Sequence, residues 1–268
     1  MSLPLNVDAD APVPEPKDAS TVMLLRDGAA GIEVFLVRRV AGMAFAGGMT
    51  VFPGGGVDGS DSDASLAWGG PEAHWWAGRL GVDEARARRL VCAAARETFE
   101  ECGVLLAGAE PGTAVVDTAP YSGARPELEA HSYGFAEFLT REGLTFDTEL
   151  LRPWSHWITP IGEKRRYDTY FFVAALPDGQ QADGQTSEAA EVLWSTPAAA
   201  IDHWRAGGSM LLPPTWSQLD TLAQFDSVAA VMAAEPEISA VQPDLVRTDT
   251  GWRVDFDGGE RYLAAMPR

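Results

Sequence analysis

The spacing of hydrophobic residues predicts that the chain opens with β-strands. Two strand-like runs, 21–25 and 32–40, flank a polar, glycine-bearing turn, which is typical of a hairpin. A third short strand is predicted at 49–52. Three consecutive glycines follow it at 54–56, and such a run requires positive φ or close approach of another chain segment.

The pattern then changes to a helical period. Hydrophobic residues recur at helical spacing from Asp83 to Cys102, and Gly103 is placed to end that helix. Further helices are predicted at 131–141, 197–206 and 214–234, strands at 156–159, 167–176 and 192–195, and a terminal hairpin between turn signals at 249–251 and 257–259. The order of elements indicates a mixed α/β fold.

Composition excludes several classes of protein. The 268 residues carry 39 Asp and Glu against 20 Lys and Arg, a formal net charge of −19. Such a chain repels nucleic-acid phosphates and anionic membrane surfaces, so we expect neither as a partner. A small anionic substrate is still allowed, because a local cation can reverse the field inside one site.

One domain accounts for most of the length. Residues 1–19 are predicted to be a flexible leader, and residues 20–268 one domain with insertions near 60–85 and 110–130. Cys92 and Cys102 lie on one predicted helix and cannot form a disulfide bridge. The cysteine usage and the absence of an S-K-L terminus favour the cytoplasm.

Three glutamates share one face of the long predicted helix. At 3.6 residues per turn, Glu97, Glu100 and Glu101 fall within about 100° around the axis. The like-charge pair Glu97 and Glu101 destabilises a helix by about 0.2–0.5 kcal/mol. A magnesium or manganese ion would offset that repulsion, because hard cations take oxygen ligands. The alternative is a solvated acidic face with an ordinary Arg96–Glu100 ion pair.

Together, the glycine loop and this face resemble a family motif. The segment Arg96-Glu97-Thr98-Phe99-Glu100-Glu101-Cys102-Gly103-Val104, with Pro53-Gly54-Gly55 before it, resembles the Nudix box, G-x5-E-x7-R-E-U-x-E-E-x-G-U, where U is aliphatic. There are three departures. Asp61 stands at the first box glutamate, Thr98 replaces an aliphatic residue, and an insertion delays Arg96. A box split at this point resembles the coenzyme A diphosphatase branch of the family, and the resemblance continues at 157–160, 165–172, 188–194 and 213–215.

The resemblance implies a fold and an activity. The fold is a Nudix-type α/β/α sandwich with a mixed β-sheet, a helical insertion within the box and a C-terminal extension. The activity is Mg²⁺- or Mn²⁺-dependent hydrolysis of a nucleoside diphosphate linked to another moiety. Coenzyme A or acyl-coenzyme A is favoured as substrate, giving adenosine 3′,5′-bisphosphate and (acyl) phosphopantetheine. An ADP-ribose or NADH pyrophosphatase and a non-catalytic nucleotide-sensing module are the alternatives.

Roles for single residues follow from the same resemblance. Glu97, Glu100 and Glu101 correspond to metal ligands, and Arg96 is expected to orient them. The general base is either a box glutamate or a more distant one, and Glu188 and Glu191 are the candidates outside the box, with an ordinary surface position as the alternative for each.

Substrate contacts are expected from the glycine loop and from arginines. Gly54, Gly55, Arg39 and Arg166 are the candidates, since guanidinium groups suit phosphate. Pairing with surplus carboxylates is the alternative for each arginine. The tryptophans of the insertion either cover substrate or pack the insertion onto the body. The sequence leaves the oligomeric state open, with a homodimer as one alternative.

Overall fold

The computed structural model describes residues 12–42, 46–63, 65–187, 189–249 and 251–267. The strands are β1 (Lys17–Gly28), β2 (Gly31–Arg39), β3 (Thr50–Val51), β4 (Gly54–Gly56), β5 (Trp68–Gly69), β6 (Ala107–Gly108), β7 (Thr145–Asp147), β8 (Leu151–Ile158), β9 (Tyr167–Ala175), β10 (Ala189–Ser195), β11 (Ala240–Val241), β12 (Asp244–Thr248) and β13 (Gly251–Asp255). The helices are α1 (Ala73–Leu80), α2 (Glu84–Cys102), α3 (Arg125–Glu129), α4 (Phe135–Glu142), α5 (Pro197–Arg205), α6 (Pro213–Leu222), α7 (Val228–Ala233) and α8 (Gly259–Ala265).

A mixed sheet forms the centre of the fold. Its strands run in the order β10-β2-β1-β9-β8-β11, with β3 attached to β2 and β4 attached to β1. The pairing of β1 with β9 is parallel, whereas β1 pairs antiparallel with both β2 and β4. The glycine strand β4 is thereby fixed to the first half of β1, where Ser20 pairs with Gly55.

Helices cover both faces of this sheet. One core cluster contains α2 residues such as Val91 and Phe99 together with Phe172 of β9. A second cluster contains Val173 of β9, Trp204 of α5 and Leu219 of α6. Successive side chains of β9 therefore point to opposite faces of the sheet and pack into different core clusters. This arrangement confirms the predicted sandwich of a mixed sheet between helical layers.

The segment inserted into the box packs into the main core. Trp76 of α1 is fully buried, and its ring centroid lies 6.0 Å from that of Phe172. Trp68 lies 5.5 Å from Phe146, and Trp75 lies 5.0 Å from Trp76. The contacts favour packing over a substrate-covering role for these tryptophans.

Several predicted elements agree with the structure. The β1–β2 hairpin and the long helix are present, and the helix begins after Asp83, whose side chain accepts a hydrogen bond from the Arg86 backbone N–H. Cys92 and Cys102 are both buried and free within α2.

Other boundaries were wrong. The helix predicted at 214–234 is two helices, because Ser227 caps a new one by accepting a hydrogen bond from the Ala230 N–H. The helix predicted from 131 begins only at Phe135, after Gly134 in extended conformation. The predicted terminal hairpin is present as the antiparallel pair β12 and β13, in which Thr248 pairs with Gly251, whereas the turn signal at 257–259 leads into α8. Because β1 begins at Lys17, residues 17–19 of the predicted leader belong to the sheet.

Candidate active site

The glycine strand β4 lies directly against the carboxylates of α2. A Cβ placed on Gly55 would come within 2.4 Å of Glu97 Oε1, and one placed on Gly54 would come within 2.4 Å of the Ser20 carbonyl. The Gly54 N–H donates to Glu101 Oε2 at 3.0 Å. A side chain at Gly54 would push the strand away from the β1 backbone, and one at Gly55 would displace the carboxylate of Glu97. The close approach predicted for the glycine run is present.

The carboxylates project from the buried final turns of α2. Glu100 and Glu101 are 7% and 8% exposed, and Gly103 ends the helix with a left-handed φ of 68°. Burial on this scale is unusual for glutamate unless a partner compensates the charge. The solvated acidic face considered as an alternative is therefore wrong for these two residues.

Arg96 is the compensating cation at the centre of the cluster. Its guanidinium, 3% exposed, donates from Nη1 to Glu97 Oε1 at 2.8 Å and to Glu100 Oε2 at 3.1 Å. From Nη2 it donates to the Gly56 carbonyl at 2.9 Å. Burial alone would lower the pKa of Arg96, but the surrounding carboxylates outweigh this and raise it. Arg96 is thus a permanent cation that ties the glycine strand to two of the three glutamates.

Asp61, which precedes the insertion in the chain, is a further carboxylate partner of Arg96. The Arg96 Nε and Nη2 groups donate to its two carboxylate oxygens at 2.9 and 3.0 Å. Asp61 also accepts from the Asp58 N–H at 2.7 Å within a capping box around the short 3-10 turn Gly59–Ser62. Although shorter than the glutamate of the box, this aspartate makes a bidentate ion pair.

Glu100 carries an unsatisfied buried oxygen. Its Oε2 accepts from Arg96, but its Oε1 is buried without a hydrogen-bond partner. Burial raises the pKa of Glu100 to about 8, and Glu97 adds to the rise while Arg96 opposes it. A buried carboxylate oxygen without a partner is costly, which makes it a natural place for a cation to bind.

The donor chemistry of the cluster fits a hard divalent cation. Glu97, Glu100 and Glu101 offer only oxygen atoms, and Glu100 Oε1 is left for an additional partner. Within the described ranges, no set of three or more His, Cys, Asp or Glu side chains already converges on one point. Glu97 and Glu100 instead turn toward Arg96, and Glu101 toward Gly54. Holding a metal therefore requires these side chains to rotate away from their present partners.

The two arginines expected to contact substrate differ in their burial. Arg166 is 7% exposed, and its guanidinium donates to the Thr159 and Pro14 carbonyls and to Gln242 Oε1 at 3.0–3.1 Å. These contacts favour a structural role for Arg166 over phosphate binding. Arg39 is partly exposed at the end of β2.

The two candidate bases outside the box differ. Glu191 pairs with Arg38 at 3.0 Å between half-exposed side chains, which favours the surface alternative for Glu191. Glu188 lies outside the described residues. The Gly56 carbonyl was not singled out from the sequence, because its role as an acceptor for Arg96 depends on the backbone path of β4.

Comparison with known families points to one family. The family described as the NUDT19 Nudix domain matches residues 78–222. A curated relative, the acyl-coenzyme A diphosphatase NUDT19 of Gallus gallus, is 34% identical over 52% of this chain and 41% of its own length. The protein of the same name from Homo sapiens is 28% identical over 75% of this chain and 63% of its own length. The chain thus spans less than two thirds of these relatives.

A solved structure shows the same architecture. The crystal structure of a Nudix hydrolase from Alicyclobacillus acidocaldarius superposes with a TM-score of 0.71 at 28% identity. The alignment covers 83% of this chain and 98% of the other. Among the described residues, none of the helices combines the length and hydrophobicity that crossing a bilayer requires.

Proposed function

This chain belongs to the Nudix family, in the branch represented by the NUDT19 Nudix domain, and on that premise we propose that it hydrolyses the diphosphate of coenzyme A or acyl-coenzyme A. Water adds to one phosphorus atom, the P–O–P anhydride bond breaks, and the products are adenosine 3′,5′-bisphosphate and (acyl) phosphopantetheine. The observation that supports the proposal best is the cluster of three glutamates beside the glycine strand, in which Arg96 holds Glu97 and Glu100 and the Gly54 N–H holds Glu101.

The arrangement suits a substrate with dense negative charge. A diphosphate must be neutralised before water can approach it, and this acidic chain offers few cations for that purpose. When bound, Mg²⁺ or Mn²⁺ supplies the charge neutralisation and the activation of water. Glu97, Glu100 and Glu101 would hold the metal, with Glu100 contributing the oxygen that now lacks a partner.

The other residues of the site position the metal ligands or contact the substrate. Arg96 fixes Glu97 and Glu100 and is too deeply buried to reach a substrate. Gly54 and Gly55 are proposed as backbone contacts of the diphosphate, and their lack of side chains leaves room for β1 and Glu97 beside the strand. We propose Glu188 as the general base on the strength of its sequence position alone. Box glutamates are the alternative.

The proposed substrate rests on the names of relatives and on one arginine. The NUDT19 proteins of chicken and human are named acyl-coenzyme A diphosphatases. Because the contacts of Arg166 favour a structural role, Arg39 at the end of β2 is the better candidate for the 3′-phosphate. We further propose a cytoplasmic enzyme that acts on a small-molecule nucleotide, as a monomer or a homodimer.

A panel of substrates tests the proposal. Coenzyme A, an acyl-coenzyme A, dephospho-coenzyme A, ADP-ribose and NADH are each incubated with Mg²⁺ or Mn²⁺, and the products are identified by mass. We expect the highest kcat/KM with coenzyme A or its acyl form. A preference for ADP-ribose or NADH would replace the coenzyme A assignment with another diphosphatase activity. Binding without turnover of any compound would identify a nucleotide-sensing module.

Arg39→Ala tests the 3′-phosphate contact. Loss of a charge-assisted contact should lower kcat/KM for coenzyme A by about 10- to 100-fold and leave dephospho-coenzyme A nearly unaffected. Equal losses on both compounds would place Arg39 at the diphosphate.

A further inference from the structure

A buried arginine outside the box holds the end of α2. Arg125, the first residue of α3, is 5% exposed, and its Nε donates to the backbone carbonyl of Glu100 at 3.1 Å. A cation near a helix C-terminus interacts favourably with the helix dipole and satisfies a carbonyl that has no partner within the helix. Arg125 therefore holds the turn from which Glu100 and Glu101 project.

The same guanidinium binds a second chain segment. Arg125 Nη1 donates to both carboxylate oxygens of Asp183 at 2.8 and 2.9 Å. The Asp183 N–H in turn donates to the carbonyl of Cys102 at 2.9 Å. Arg125 and Asp183 thus occupy two carbonyls at the end of α2.

Gly103 makes room for this ion pair. A Cβ on Gly103 would lie 2.8 Å from Arg125 Nη1 and 3.2 Å from Asp183 Oδ2. The glycine also adopts a φ of 68°, which favours glycine for an independent reason. The late glycine of the box therefore serves both the helix end and the ion pair.

Gln180 binds the segment that contains Asp183 to the chain that follows α2. Its Oε1 accepts from the Leu105 N–H, and its Nε2 donates to the Leu105 carbonyl, both at 2.9 Å. With Asp183 bound to Cys102, the segment 180–183 is joined at two points to the chain that leaves α2. Such paired contacts fix the position of the last helical turn relative to the rest of the fold.

We propose that Arg125 and Asp183 are positioning residues for Glu100 and Glu101. By holding the Glu100 and Cys102 carbonyls, they keep the last turn of α2 where Glu101 meets the Gly54 N–H and Glu100 meets Arg96. Both residues act through the backbone of α2, since Arg125 binds the Glu100 carbonyl and Asp183 binds the Cys102 carbonyl. The inference rests on the proposed function for its catalytic consequence but not for the contacts themselves.

The test compares Arg125→Met, Arg125→Lys and Asp183→Asn with Tyr262→Phe as a matched control. Tyr262 is fully buried and donates from its hydroxyl to the Leu211 carbonyl at 2.9 Å in the opposite core. Its variant loses one buried hydrogen bond far from α2. Amide hydrogen exchange is measured in the metal-free proteins, Mn²⁺ affinity is measured by titration calorimetry, and kcat is measured with coenzyme A.

We expect amide exchange at 101–105 to rise at least about 10-fold in Arg125→Met but not in Tyr262→Phe. Mn²⁺ affinity and kcat should each fall about 10-fold, as for other residues that orient metal ligands, with KM nearly unchanged. Arg125→Lys should recover part of each loss, because it keeps the charge but not the forked contacts.

Two results would overturn the proposal. One is unchanged exchange at 101–105 in Arg125→Met. The other is equal exchange and affinity changes in Tyr262→Phe, which would indicate a general loss of stability. If the wild type hydrolyses none of the compounds while exchange and Mn²⁺ affinity respond as expected, the proposed function fails and the positioning role stands.

Discussion

Arg96 and Asp61 form a buried bidentate ion pair across 35 positions of the chain, with hydrogen bonds of 2.9 and 3.0 Å. The side chains are 3% and 0% exposed, so water does not weaken the pair. The insertion between them leaves this contact intact, because the 3-10 turn that holds Asp61 and the inserted helix α1 both pack against α2. The two halves of the split box are therefore joined in space by this ion pair, together with the contacts of Arg96 and Glu101 to the glycine strand.

Asp61→Asn should destabilise the protein and misplace Arg96. Arg96 would stay buried with a weaker set of partners, so we expect a loss of about 3 kcal/mol in the free energy of unfolding. Because Arg96 orients Glu97 and Glu100, kcat should fall at least about 10-fold. Urea denaturation and kcat measure the two effects. The exposed Asp63→Asn is the control, and an equal loss there would contradict the role given to Asp61.

Glu101→Gln should abolish turnover without disturbing the fold. The glutamine carbonyl oxygen can still accept from the Gly54 N–H, but an anionic ligand is lost. We expect kcat to fall by at least about 10²-fold with a nearly unchanged melting temperature. The matched control is Glu137→Gln, an exposed helical glutamate that pairs with Arg141. Near wild-type activity at saturating Mg²⁺ would rule out a metal site at the three glutamates.

Gly55→Ala should affect activity more than stability. The new methyl would lie 2.4 Å from Glu97 Oε1, the end of a flexible side chain that can move aside at small cost. A moved Glu97 no longer meets Arg96 or a metal correctly, so kcat should fall about 10- to 100-fold. Gly59→Ala is the control, because no atom lies within 4 Å of the added carbon. Similar kinetics for the two variants would show that the close approach at Gly55 has no catalytic importance.

Asp168→Asn should reduce stability in a pH-dependent manner. Burial would raise the pKa of Asp168, but hydrogen bonds from His156 and Arg86 outweigh it, and the pKa lies below its ordinary value of 3.8. A carboxylate with a lowered pKa stabilises the fold above its ordinary pKa and loses that contribution as pH falls through the folded-state value. We expect Asp168→Asn to lose about 2 kcal/mol at pH 7.

Urea denaturation of wild type and variant at several pH values measures this effect. The difference between them should shrink as the pH falls below about 4. Asp202→Asn, which removes a partner of Arg205 from an exposed pair, should have little effect at any pH. A difference that stays constant with pH would show that the charge of Asp168 is not its source.

Local patterns were sufficient to predict the elements that frame the site. The two ends of α2 are marked by Asp83, which caps its first turn, and by Gly103, which ends it. The helical spacing of hydrophobic residues lies between them, so all of these signals are local in sequence. The glycine run likewise indicated close approach, and Glu97 is the group that approaches. The division between α6 and α7 was missed, because the cap at Ser227 interrupts a hydrophobic spacing that continues through it.

Partners distant in sequence were not predictable in the same way. Arg166 resembled a phosphate-binding residue because it lies in a basic cluster, yet its carbonyl partners come from segments as far away as Pro14. Arg125 lies in a stretch interpreted as an insertion, and no local signal connects it to Glu100. Arg96, Arg125 and Arg166 each join segments that are distant in sequence, and these roles depend on tertiary contacts.

The parallel pairing of β1 with β9 has a consequence for synthesis on the ribosome. Lys17 pairs with Tyr167, so each pairing in this central ladder spans 150 positions. At about 5–20 residues per second, roughly 8–30 s pass between the emergence of the two strands. Met23 and Leu24 are both fully buried in the folded protein, but during that interval β9 is not yet present to cover them. The nascent chain is therefore a predicted client of chaperones that shield apolar segments.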